Sequence, residues 1–228
     1  MRFEIQYRPA HALATVHLEP NESIRAEAAS MMSMSSNIAV ETQARPGKGG
    51  LLGSLKRSFL GGESFFTNLY TARGAAGQVS FAPGLCGDLV VHEVQPSETL
   101  FIQGSSYVCA PDSITMDTQF QGMKGFFSGE SLFFLKATGV GPVLLNAFGA
   151  IETLDIDREL IVDTGHLVAF TSGIDYTVEK AGTGWIASYL SGEGLVLRLR
   201  GRGRVYLQTR NPHEYGRSVG KRLPPRRG

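Results

Sequence analysis

The sequence predicts an all-β protein made of three copies of one antiparallel unit arranged with pseudo-threefold symmetry. Three observations carry this. A Gly-Glu step recurs as Gly62-Glu63, Gly129-Glu130 and Gly192-Glu193, each time at the head of an apolar run that ends in a glycine pair. A second motif precedes it without gaps: Ile24, Leu100 and Leu160, then six residues later Ser30, Ser106 and His166, and fourteen residues after each start Ile38, Ile114 and Ile174. Within the units, apolar and polar residues alternate with a period of two, which places one set of side chains on a core face. Two motifs in one order, three times, mark an internal repeat, and a repeat decides the architecture.

The units span about 1–83, 84–151 and 152–211. The first opens with Met1-Arg-Phe-Glu-Ile-Gln-Tyr7, which alternates like a strand and not like a secretory signal. Its one helical stretch is Gly50–Leu60, with Leu51, Leu52, Leu55 and Phe59 spaced three to four apart beside Lys56 and Arg57. That spacing suits a short amphipathic helix lying on a sheet edge, a subunit interface or a membrane surface. Turn signals at Pro111-Asp-Ser, Thr138-Gly-Val-Gly-Pro142 and Ala181-Gly-Thr-Gly184 separate the strands of the second and third units. The pairs Gly74/Gly77, Gly139/Gly141 and Gly201/Gly203 belong at turns needing φ > 0, or where backbones approach closely. Glu63, Glu130 and Glu193 stand at equivalent places. Three bare carboxylates close together repel, so each is expected to cap backbone N–H groups of its own turn, not to hold a metal.

Phe59-Leu-Gly-Gly-Glu-Ser-Phe-Phe-Thr-Asn68, Phe126-Phe-Ser-Gly-Glu-Ser131, Ser191-Gly-Glu-Gly-Leu195 and Leu207-Gln-Thr-Arg210 resemble the mitochondrial-biogenesis "altered inheritance of mitochondria" (AIM-type) family, bacterial branch. The resemblance runs from Phe3 to about Asn211. It implies a β-sandwich similar to the tryptophan-attenuation (TRAP) proteins, repeated threefold and prone to self-association, and it implies no enzymatic activity, cofactor or ligand. Eukaryotic relatives organise the mitochondrial inner membrane. This chain lacks their targeting extension, so the resemblance carries over the fold and not the location, and a cytoplasmic protein is expected.

Composition agrees with a turn-rich β protein: Gly contributes 28 of 228 residues and charged residues only 19%. Cys86 and Cys109 have no CxxC spacing and read as two buried thiols in a reducing compartment. The five histidines form neither HxH nor HExxH, so no metal site is expected, and His92-Glu93 and His166 near Asp163 read as hydrogen-bonded structure. No G-x-S-x-G elbow or phosphate cradle at a helix start is present. No catalytic residue and no cofactor are therefore assigned.

The net charge of +1 conceals an asymmetry: residues 198–228 hold ten basic residues against Glu214 alone. Arg198, Arg200, Arg202 and Arg204 fall at alternate positions, hence on one strand face, and Lys221 and Arg222 follow in a basic tail, 212–228, expected to be disordered. These six residues are candidate phosphate-binding groups for nucleic acid or an anionic membrane surface. Adjacent phenylalanines (Phe65/Phe66, Phe126/Phe127, Phe133/Phe134) would place one ring of each pair outward, a surface that a second copy would cover. The expectation is a non-enzymatic homo-oligomeric scaffold, a trimer or larger ring. Nucleic-acid or anionic-surface binding, and small-molecule binding between repeats, are the alternatives.

Overall fold

The computed structural model describes residues 1–44, 66–120, 133–180 and 195–224. Among these residues nineteen strands follow one another: β1 (Arg2–Gln6), β2 (Leu13–Leu18), β3 (Ser23–Glu27), β4 (Met31–Met34), β5 (Ile38–Ala44), β6 (Phe66–Ala72) and β7 (Gly77–Phe81). Then come β8 (Leu89–Val94), β9 (Thr99–Gln103), β10 (Tyr107–Ala110), β11 (Ile114–Phe120), β12 (Phe133–Gly139) and β13 (Gly141–Asn146). The last six are β14 (Ile151–Ile156), β15 (Glu159–Asp163), β16 (Leu167–Thr171), β17 (Ile174–Lys180), β18 (Leu195–Gly201) and β19 (Gly203–Gln208), before a helix α1 (Pro212–Gly220).

They form four sheets, ordered β1-β2-β7-β4, β5-β6-β3-β10-β13-β8, β11-β12-β9-β16-β19-β14 and β15-β18-β17, and every strand pairing in them is antiparallel. Three apolar cores lie between successive sheets. Val16, Leu18, Val79 and Phe81 of the first sheet meet Ile24, Tyr70 and Leu144 of the second. Tyr107, Val143 and Leu145 of the second meet Ile102, Leu135 and Tyr206 of the third. Phe134, Phe170 and Val205 of the third meet Leu197 and Leu199 of the fourth.

The two six-stranded sheets therefore carry core on both faces, and neighbouring residues such as Leu144 and Leu145 point into different cores. This explains the two sequence textures. β10 and β16 sit mid-sheet and are buried throughout, apolar but for Thr171, whereas β2 alternates because only one of its faces is covered.

The glycine pairs turn the hairpins as expected. Gly139 and Gly201 have φ of +121° and +126°, and a Cβ on either would stand 2.1 Å from a backbone oxygen, that of Ser113 or Gly173. Only glycine fits there.

The pairings do not show the expected closure into a pseudo-threefold arrangement. β3 pairs with β10 and β9 with β16, but the first sheet ends at β4 and the fourth at β15. No third junction of this kind joins them among the described residues. The Gly-Glu steps (Gly62, Glu63, Gly129, Glu130, Gly192, Glu193), the helical stretch 50–60, and Phe65, Phe126 and Phe127 lie outside the described residues. Phe134 is fully buried, so its ring is core and not surface. The thiols also divide. Cys109, in mid-sheet β10, is buried as expected, but Cys86 is exposed, because it lies in the β7–β8 connection and not in a strand.

Candidate functional site

The arginine run does not form one ladder. The turn at Gly201 breaks it, so Arg198 and Arg200 stand on β18 in the fourth sheet, while Arg204 begins a return along β19 in the third. Arg198 is clamped between two acidic neighbours. Its Nε and Nη2 donate to the Glu179 carboxylate at 3.0 and 3.1 Å, and its Nη1 donates to Glu159. Arg200 Nε donates to the other Glu159 oxygen at 2.6 Å. Arg204 grips Asp155 with a two-point fork, at 2.8 and 3.1 Å.

These contacts hold Glu179 and Glu159 below the usual carboxylate range, through Arg198 and Arg200 respectively, and Asp155 through Arg204. The face is close to neutral. Arg202, Lys221 and Arg222 have no ion-pair partner among the described residues, and they lie on different elements: Arg202 at the β18–β19 turn, the other two just past α1.

The tail is not disordered at its start. Asn211 Oδ1 accepts from the N–H groups of His213 and Glu214, at 2.9 and 3.3 Å, and Pro212 occupies the first turn, which together launch α1. Tyr215 rests on the Phe148 ring, with centroids 5.2 Å apart. Composition reports charge and proline here; it does not report a cap.

Both histidine readings resolve into structure. His92 is buried; its Nδ1 meets the Tyr206 hydroxyl at 2.8 Å and its Nε2 meets Glu98 at 3.1 Å. Its sequence neighbour Glu93 points elsewhere along the strand, and Glu98 is reached only because the β8–β9 turn folds back. His166 Nδ1 donates to the Gln208 carbonyl at 2.7 Å, and Asp163 accepts from the Gly165 N–H at 2.8 Å. Each His therefore has its ring fixed by a hydrogen bond to the frame. Among the described residues, no three His, Cys, Asp or Glu side chains converge as a metal site. No helix is long and apolar enough to cross a membrane among those residues.

A shallow open groove of about 570 Å³ lies where the start of β1 approaches β8 and β13, lined by Met1, Phe3, Glu22, Val91, Glu93 and Pro142 among others. Glu22 is already engaged there, by the Met1 amino group at 2.9 Å and by the Glu19 N–H at 2.9 Å.

The feature that sequence reasoning missed is an edge. All four residues of β4 are exposed, and Met31, Met32 and Met34 have 37, 56 and 41% of their surface open. β15, the end of the fourth sheet, leaves Ile161 53% open. The signal was present: Met31-Met-Ser-Met34 carries no charge, no proline and no lysine, the residues that normally blunt a sheet edge.

Comparison with known proteins gives the fold a family. The chain is 28% identical over 230 residues to an uncharacterized protein of Streptococcus pyogenes serotype M6, covering 98% of this chain and 92% of that one. It is similar to the crystal structure of protein SPYM3_0169 from Streptococcus pyogenes, with TM-score 0.81 and 26% identity over 97% of this chain and 99% of that one. The family model for mitochondrial biogenesis AIM24 matches residues 3–210, from within β1 to just past β19, and the chain belongs to the AIM24 family.

Proposed function

We propose that this chain is a non-enzymatic, self-associating β scaffold built from three six-strand units, TRAP-like in plan and joined in series. The units are β2–β7, β8–β13 and β14–β19. The support is that one pairing scheme fits each: the first strand pairs with the sixth, the sixth with the third, the second with the fifth and the fifth with the fourth. Each unit is a small sandwich sharing its sheets with the next.

The observation that carries self-association is β4, an edge strand with three open methionines and no protective charge. Several ionic groups are spent on one another: Arg198 with Glu179 and Glu159, Arg204 with Asp155, Arg8 with Asp88 at 2.7 Å. This arrangement suits a rigid body that presents surfaces better than one that converts a substrate. It also weakens the phosphate-binding reading, since three of its six groups are already neutralised.

Light scattering coupled to size exclusion, with the ultraviolet absorbance ratio recorded at low and high salt, tests the proposal. A defined oligomer with a protein-only spectrum at both salts is expected. A 24.6 kDa monomer at micromolar concentration would refute self-association. Co-eluting nucleic acid released by salt would favour phosphate binding instead.

A further inference from the structure

We infer that β4 of one copy pairs antiparallel with β15 of a second copy, in the register Ser33 opposite Val162, Met34 opposite Ile161 and Ser35 opposite Leu160. This rests on the three-unit, self-associating reading above and specifies its interface.

The register comes from the two junctions that the chain makes internally. Where β3 meets β10, Ala26 faces Cys109 and Arg25 faces Ala110. Where β9 meets β16, Ile102 faces Ala169, Phe101 faces Phe170 and Leu100 faces Thr171. In the gapless alignment of Ile24, Leu100 and Leu160 with Ser30, Ser106 and His166, both junctions follow one rule. The residue two after the first anchor faces the residue three after the second anchor of the next unit. Applied to the remaining strands, the rule sets Val162 of the third unit against Ser33 of the first.

The equivalent third strands also share a bulge: the register shifts between Met31 and Ser33, between Tyr107 and Cys109, and between Leu167 and Ala169. β4 thus keeps the shape of a junction strand while lacking a junction. Its exposures say the same. Tyr107, Val108 and Ala110 of β10, and Leu167, Val168 and Phe170 of β16, are at most 1% open, whereas the matching Met31, Met32 and Met34 are 37 to 56% open. On the other edge, Ile161 is open where its counterpart Phe101 stacks on Phe170 at 5.0 Å.

The occupant is a second copy because the chain's own β15 ends a different sheet and is not bonded to β4. Joining the two sheets end to end yields another composite sheet of the kind that the chain already forms twice, and it satisfies both edges at once. The contact is heterologous, so closing it without leftover edges makes a ring. A net charge of +1 leaves little repulsion between copies.

Cysteine cross-linking tests the register. Directly opposed antiparallel residues have Cα atoms about 4.5–5.5 Å apart, within disulfide reach, while positions two residues away lie beyond ~7 Å. In a Cys86→Ser background, Met34→Cys and Ile161→Cys chains carrying different tags are co-produced and mildly oxidised. A covalent dimer bearing both tags is expected, and none from Met32→Cys with Ile161→Cys. Met34→Lys, with an unchanged circular dichroism spectrum, should reduce the oligomer to 24.6 kDa.

Cross-linking only within a doubly substituted chain, at monomer mass, would mean that the edges close in one copy and would overturn the inference. An oligomer that neither cross-links nor responds to Met34→Lys would overturn it too, while leaving self-association standing. A wild-type monomer would remove both.

Discussion

Phe170→Ala is the sharpest test of how the middle of the third sheet is held together. Phe170 is fully buried on β16, which is the strand that pairs with β9. Its ring stacks on Phe101 at 5.0 Å, meets Phe134 near perpendicular at 5.7 Å, and meets Tyr176 at 5.3 Å with the planes inclined by 65°. Truncating a buried phenylalanine costs about 3–5 kcal/mol in lost transfer energy and residual cavity. Each well-placed aromatic pair adds roughly 0.5–1.5 kcal/mol beyond area. With three such partners, the loss belongs at the upper end, about 5 kcal/mol. Phe170→Leu keeps most of the volume and should lose about 1–3 kcal/mol, chiefly the ring geometry. Urea unfolding at fixed protein concentration, followed by far-ultraviolet circular dichroism, measures both. A Phe170→Ala loss under 1 kcal/mol with an unchanged m-value would refute the claim that this cluster fastens β16 to β9 and β12.

Tyr206→Phe should cost about 1–3 kcal/mol by leaving the buried His92 Nδ1 without its partner, read in the same urea titration. Burial raises the Tyr206 hydroxyl above its ordinary value of 10, so its contribution is complete below pH 10 and lost as pH climbs through the higher folded value. Stability measured from pH 9 to 12 should fall less steeply in the phenylalanine variant. Gly201→Ala should cost about 3 kcal/mol or more, from left-handed strain and the Gly173 oxygen, whereas Gly216→Ala in α1, with open space around it, should be neutral or stabilising by about 0.5–1 kcal/mol in thermal melts. Asn211→Ala should cost about 1 kcal/mol of local helix stability, and amide exchange should quicken chiefly in α1.

The strand content could be read from the sequence because it rests on local signals: alternation and glycine punctuation. Gly139 and Gly201 announced hairpins whose backbone admits no side chain. What escaped was set by partners distant in sequence. Arg198 looked like a free phosphate ligand until β15 and β17 brought Glu159 and Glu179 beside it. His92 seemed to neighbour Glu93, yet its partners are Glu98 and Tyr206, the second 114 residues away. The open edges at β4 and β15 were hidden for the same reason: whether a strand gains an outer partner depends on angles between sheets, which no local pattern encodes. The basic tail misled through composition, since Asn211 and Pro212 start a helix that charge alone does not disclose.

The measurement that bears most directly on the scaffold account is hydrogen–deuterium exchange of β4 and β15 across protein concentration. Outward amides of an unpaired edge exchange with solvent, while those of a paired strand wait for the pair to open. The account predicts slow exchange in residues 31–35 and 159–163 together at high concentration, lost together on dilution to monomer. Fast exchange at both edges while the oligomer stays intact would contradict it.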